Sequence, residues 1–163
     1  MRILKHLFSG PWQVHRRFPK AAMRRIGEAI AKSEHSHSGE LRFVAEAVLP
    51  WQDALRGITA RQRAVEVFSH LKIWDTEQNS GVLIYLLLAD HDVEIVADRG
   101  IHAKVGQQSW QEICHTMETR FRAGEFERGV LEGINSITLL LQQHFPSDKN
   151  TNPNELPDTP VVL

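Results

Sequence analysis

Residues 82–98 read VLIYLLLADHDVEIVAD, and the fold turns on them. The opening VLIYLLLA is apolar on both alternating faces, the pattern of a central strand covered by helices on each side. Asp90-His91 then makes a tight turn into DVEIVAD, where Val93, Ile95 and Ala97 alternate with Glu94 and Val96. The two arms form a hairpin whose second strand lies at a sheet edge. The apolar run is also far short of the roughly 20 residues that cross a bilayer.

Working outward, ELRFVAEAVL (residues 40–49) alternates in part, is rich in Val and Phe, and is stopped by Pro50. Between the two strand segments, Thr59 caps a helix reaching Leu71 with Ala64, Val67, Phe68 and Leu71 on its buried stripe. DTEQNSG (residues 75–81) is turn chemistry. Upstream, a helix starts at Pro19 and runs to about Glu34, with Ala22, Met23, Ile26, Ala29 and Ile30 at helical spacing. Downstream, helices are expected over 108–121 and 126–144. Four of the seven prolines fall within 146–163 among Asn, Asp and Ser, so that stretch reads as a disordered tail. The order α-β-α-β-β-α-α predicts an α/β fold, a three-layer α/β/α sandwich on a small mixed sheet. The expected organisation is a basic arm over 1–18, one domain over 19–145, and the tail.

The chain has 163 residues, 19 Lys+Arg against 20 Asp+Glu, 42% hydrophobic residues and one cysteine. That size supports a single core, and the balance excludes a disordered polyelectrolyte. A lone Cys114 excludes an internal disulfide framework and multi-thiolate zinc sites. The charge is uneven: residues 1–32 hold eight Lys/Arg and one acid, Glu28. Leu4, Leu7, Phe8, Trp12, Val14 and Phe18 interleave with those bases. Two readings of the arm stand side by side: it wraps on its own domain, or residues 1–17 lie on an anionic membrane surface or on a membrane-associated protein partner. Nucleic acid is a weaker fit. Lys5, His6, Gly10 and Pro11 interrupt any signal-peptide apolar core.

A strand–helix–strand unit makes the first two strands parallel, and the hairpin makes the third antiparallel. Chain direction therefore gathers Ser38, Gly39, Glu40, Asp75, Asn79, Ser80, Gly81, Asp98, Arg99 and Gly100 at one end of the sheet. Carboxylates, loop oxygens and permissive glycines suit a hard cation, Ca²⁺ or Mg²⁺. Glu40, Asp75 and Asp98 are the candidate metal ligands, and Asp90 and Asp92 at the opposite end are the second choice. Surface caps and turn pairings explain the same residues without a ligand. Cys114, on an inward helical stripe, reads as packing; His35 and His37, at i, i+2 in a loop, lack the spacing of a metal pair, and His91 and His102 near the hairpin ends read as solvated loop histidines. The chain has no Walker loop, GxGxxG, GxSxG or paired CxxC.

HSGELRFVAE (37–46), WDTEQNSGVLIYLLLADHDVEIVADRGI (74–101) and FRAGEFERGVLEGI (121–134), in that order, resemble the TPM domain family of thylakoid lumen, photosystem II repair and receptor-modulator proteins. The resemblance spans about residues 21–145 and is to the short bacterial branch without signal peptide or C-terminal membrane helix. It implies an α/β/α sandwich, calcium binding as in some members, and acid phosphatase activity as assigned to a plant member. The family's SGE, NGVL and post-strand glycine fall on Ser38, Gly39, Glu40, Asn79 or Ser80, Gly81, Val82, Leu83 and Gly100. The arm lies outside the resemblance, so its role is not inherited. Two functions are therefore expected. One is a cation-binding interaction module, cytoplasmic and peripheral on the inner membrane face. The other is a metal-assisted phosphomonoesterase, in which Arg99 clamps the phosphate.

Overall fold

The structure, a computed structural model, describes residues 10–147 and 153–163. In chain order it runs α1 (Pro11–Arg17), α2 (Lys20–Glu34), β1 (Glu40–Glu46), α3 (Trp51–Leu55), α4 (Ala60–His70) and β2 (Gly81–Leu87). A 3-10 turn (Leu88–Asp90) leads to β3 (Asp92–Ala97), α5 (Arg99–Val105), α6 (Gln107–Arg122), α7 (Phe126–His144) and β4 (Val161–Val162). Local chemistry sets several boundaries. Pro19, with φ −56°, caps α2. Thr59 opens α4 with a capping box: its side chain accepts from the Gln62 amide while its own amide donates to Gln62 Oε1 at 2.9 Å. His91, at φ 53°, turns the hairpin through the left-handed region.

The sheet order is β3-β2-β1-β4. β1 and β2 run parallel in the register Glu40↔Gly81 to Glu46↔Leu87, and β2 and β3 antiparallel from Val82↔Ala97 to Leu87↔Asp92. Every residue of β1 and β2 is buried. On one face Leu41, Phe43, Ile84, Leu86 and Ile95 meet Ile26, Ile30, Met117, Phe121 and Ile134 from α2, α6 and α7. On the other, Val44, Leu83, Tyr85, Leu87 and Val96 meet Ala64, Val67 and Phe68 of α4. This is the α/β/α sandwich read from the sequence. Gly129 and Gly133 let α7 lie against α6: a Cβ on them would fall 2.7 Å from the Phe121 ring and 2.4 Å from Met117 Sδ.

Three expectations change. The stretch 146–163 was expected to be disordered, yet residues 153–163 run along the sheet, and Val161 and Val162 pair in parallel with Val44 and Ala45. Proline and asparagine lower local propensity, but β1 offers an open ladder, which local composition does not register. Of the arm, residues 1–9 lie outside the described residues; α1 packs on the domain, with Val14 and Phe18 fully buried. A third helix, α5, follows β3 where only loop was expected, because Ile101 and Val105 supply a single apolar pair in a seven-residue segment ending at Gly106.

One charged group sits inside the second core. Glu46 is 3% exposed and accepts a bidentate pair from Arg63 Nε and Nη2, each at 2.9 Å, and a third bond from the Tyr85 hydroxyl at 2.5 Å. Burial, the adjacent Glu46 and the hydrogen bond hold the Tyr85 phenol protonated far above its ordinary range. Removing one partner strands the others in a low dielectric. Glu46→Ala should cost about 3–5 kcal/mol, whereas Tyr85→Phe, which leaves the ion pair intact, should cost about 1–2 kcal/mol. Urea unfolding of the two variants checks the order, and a smaller loss for Glu46→Ala would refute it.

Candidate functional site

The strand directions place the predicted residues as chain logic requires. Glu40 is opposite Gly81, its amide donating to Ser80 O at 3.0 Å, and the Asp98 amide donates to Gly81 O at 2.9 Å. Glu40, Ser80, Gly81 and Asp98 thus share one rim. The rim is cross-braced: Ser80 Oγ donates to Ser38 O at 3.2 Å, Ser38 N to Phe145 O at 2.9 Å, and Gly39 N to His37 Nδ1 at 3.2 Å. Gly81 is required sterically, since a Cβ there would lie 1.9 Å from Ile73 O. Gly100 brings the start of α5 onto the Gln78 and Asn79 carbonyls, which a Cβ would meet at 2.9 and 2.8 Å.

Asp98 caps α5, one carboxylate oxygen accepting from the Arg99 amide at 2.7 Å; its Oδ2 is buried and accepts no hydrogen bond. Asp75, Asn79 and Arg99 are exposed, and Asn79 holds φ 50°. Glu40 is 2% exposed, and its Oε2 accepts from Leu156 N at 3.0 Å. Among the described residues no three His, Cys, Asp or Glu side chains converge closely enough to hold a metal ion. Glu40, Asp75 and Asp98 therefore do not form a three-carboxylate cage. Asp90 and Asp92 lie half-buried at the opposite end, beside the hairpin turn.

His37 is fully buried. Its Nδ1 accepts from Gly39 N, so the ring proton resides on Nε2, which faces Ser33 Oγ at 3.1 Å. Nε2–H donates to the hydroxyl, the opposite polarity to a base activating a serine. Burial lowers the His37 pKa to about 4 and keeps the ring neutral. Cys114 lies beside a cleft of about 440 Å³ with Arg61, Glu94 and Trp110. Burial, reinforced by Glu94, pushes its thiol up to about 12, which makes it inert.

Sequence reasoning missed a polar group at the free side of β1. Glu34, at the end of α2, accepts from Leu41 N at 2.8 Å and shares a hydrogen bond with Asp158. Arg42 donates to Pro157 O. Burial pushes the Glu34 carboxyl up to about 9 and raises that of Glu40 too, with neighbouring acids adding to both. Arg42, between Leu41 and Phe43 in a strand that is buried throughout, was the visible signal that a carbonyl or carboxylate must come to meet it.

The class defined so far is an α/β/α sandwich with a braced polar rim and an unsatisfied aspartate oxygen. The TPM domain profile matches residues 17–139, and the chain belongs to that family. Among solved structures, the chain is similar to the NMR structure of BA42 protein from the psychrophilic bacterium Bizionia argentinensis, with 30% identity and a TM-score of 0.78. That likeness covers 88% of this chain and 93% of the other. The curated proteins contain no match.

The buried carboxyl has a measurable consequence. Glu34 keeps its proton in the folded protein up to about pH 9, against a usual value of 4.5. Over that window the folded state binds a proton that the unfolded state does not, so stability falls as pH rises. His37 contributes its own slope only below its ordinary value of 6.5. Between about pH 7 and pH 9, wild-type protein should lose stability in urea unfolding, and Glu34→Gln, which retains an acceptor for Leu41 N–H, should lose less. Equal losses would remove the buried acid from the account.

Proposed function

We propose that the chain is a divalent-cation-binding interaction and assembly module that works at or near the inner face of a membrane. The observation that supports the cation half is Asp98 Oδ2, a buried carboxylate oxygen with no donor. Two residues along the same turn, the Gln78 and Asn79 carbonyls lie against Gly100, and carbonyl oxygens are the kind of ligand a hard cation takes. Ca²⁺ or Mg²⁺ would complete Asp98 and tie α5 to the 76–80 loop. One carboxylate with neutral oxygens suits weak affinity, on the order of 10⁻⁴–10⁻³ M. Binding is preferred over phosphomonoester hydrolysis because the Ser33–His37 pair has the wrong polarity for a nucleophile, and exposed Arg99 is not joined to it.

At tenfold excess over its dissociation constant, calcium should stabilise the protein by about 1.4 kcal/mol, read as a rise of roughly 3–6 °C in Tm. Asp98→Asn should abolish the rise while preserving the N-cap. An unchanged wild-type Tm across the titration sinks the cation reading.

The membrane half rests on α1. Val14 and Phe18 point inward, which turns Trp12, 57% exposed, together with His15 and Arg16 outward on the other face. An exposed aromatic beside an arginine is the composition of an interfacial anchor. Arg17 is engaged otherwise, over the Phe126 ring at 4.9 Å, and Arg25 is paired with Glu127 at 2.9 Å. No helix among the described residues is long and apolar enough to cross a membrane. Co-sedimentation with phosphatidylserine-containing vesicles should occur at low salt, fade at high salt, and drop severalfold in a Trp12→Ala, Arg16→Glu double variant. Equal sedimentation of variant and wild type would rule out this face.

A further inference from the structure

Residues 153–163 form a strap that is anchored on the outer side of β1 at both ends. Leu156, 8% exposed, enters the second core, Val161 packs against that core and Val162 against the first. Leu156 N donates to Glu40 Oε2 at 3.0 Å, and Leu163 N to Ala45 O at 3.0 Å. Between these anchors two acids meet. We propose that the strap is held by a proton-gated latch, in which a single proton is shared between the Glu34 carboxyl on α2 and the Asp158 carboxylate on the strap. The latch depends on neither cation nor membrane binding.

Two carboxyl groups hydrogen-bond to each other only when one of them carries a proton, because two carboxylates offer acceptors and no donor. Glu34 is the protonated member. It is 7% exposed, its Oε1 accepts from Leu41 N at 2.8 Å, and it shares a hydrogen bond with Asp158. Burial, with the charges of Glu40 and Asp158 adding to it, pushes its carboxyl up to about 9. Asp158 is half-buried, and its Oδ1 accepts from Asn154 Nδ2 at 3.0 Å, so a negative charge there has a donor. The other charged groups facing the pair are Glu40 and Arg42 of β1, with Glu155 of the strap beside Glu40. Arg42 donates to the Pro157 carbonyl, and its charge acts on both acids. One guanidinium balances one carboxylate, so the second acid needs its proton.

Lifting the strap takes Asp158 away and opens Glu34 to water, which returns its carboxyl toward the usual 4.5. Below that value both states hold the proton and docking does not depend on pH. Between it and the docked value only the docked strap holds the proton, so docking weakens by about tenfold for each pH unit gained. Above the docked value the loss levels off, with the strap at its weakest. Neutral and mildly alkaline pH lie inside the window. The opening is local, since it breaks the strap's contacts with β1 and α2 and leaves the pairing of β1, β2 and β3 in place.

Hydrogen–deuterium exchange of the full chain reads the latch, with mass spectrometry of peptides over 153–163 and over 81–87 of β2. Protection is followed from about pH 6.5 to about pH 8.5 and corrected for the intrinsic pH dependence of exchange. In wild type the strap's protection should fall by about tenfold per pH unit and stand well below that of β2 throughout, the mark of a local opening. Glu34→Gln keeps an acceptor for Leu41 N–H and a donor for Asp158, and should flatten the slope. Asp158→Asn supplies an amide that donates to an ionised Glu34, and should hold the strap severalfold better than wild type at the alkaline end. A flat wild-type profile, or equal protection of strap and β2, overturns the proposal. A slope that survives unchanged in Asp158→Asn traces the proton to the burial of Glu34 alone and overturns the latch as well.

Discussion

The parallel pairing of β1 with β2 carries the rest of the molecule, and a glycine makes it possible. Gly81 opens β2 where the Ile73 carbonyl presses in so closely that a Cβ would stand 1.9 Å from it. From there seven residue pairs run in parallel, each strand buried along its whole length. Parallel strands need a crossover, here α3 and α4, and helices on both faces. The hairpin to β3 then returns the chain to the Gly81 end, which is why Asp98 arrives beside the start of β2. A shift of register by one residue would invert which side chains face α4 and which face α7.

Charge is placed inside this sheet at two points with opposite outcomes. Glu46 is fully satisfied by Arg63 and Tyr85, so its burial specifies one packing of α4 on the sheet. Glu34 and Asp158 face Arg42, and burial holds Glu34 protonated. The first network ties α4 to the sheet, and the second is completed by the C-terminal segment, whose Pro157 carbonyl accepts from Arg42. The polar rim adds a third environment, where Asp98 has one oxygen bonded to the Arg99 amide and the other unmet. Among the described residues, the buried carboxylate oxygen without a hydrogen-bond partner lies at the rim, on Asp98, while the charges under α4 and along the β1–β4 side are met by hydrogen bonds.

Local signals were enough for the three main strands and for α2, α4, α6 and α7: an apolar run with period 2 or 3.6, a capping threonine, a turn at Asp90-His91. The order of the connections was enough for the direction of each strand. From strand direction the shared rim of Glu40, Gly81 and Asp98 followed. Tertiary contacts decided the rest. The coming-to-order of residues 153–163 depends on a β1 edge more than a hundred residues away. The burial of Val14 and Phe18 depends on an aromatic pocket in which Phe18 lies 5.7 Å from Phe43 and 6.0 Å from Phe126. Whether Glu40 faces a cation or a backbone amide was likewise set by the returning chain, since a carboxylate's partner is chosen by what arrives within about 3 Å of it, and pattern along a sequence carries direction and face but not distance.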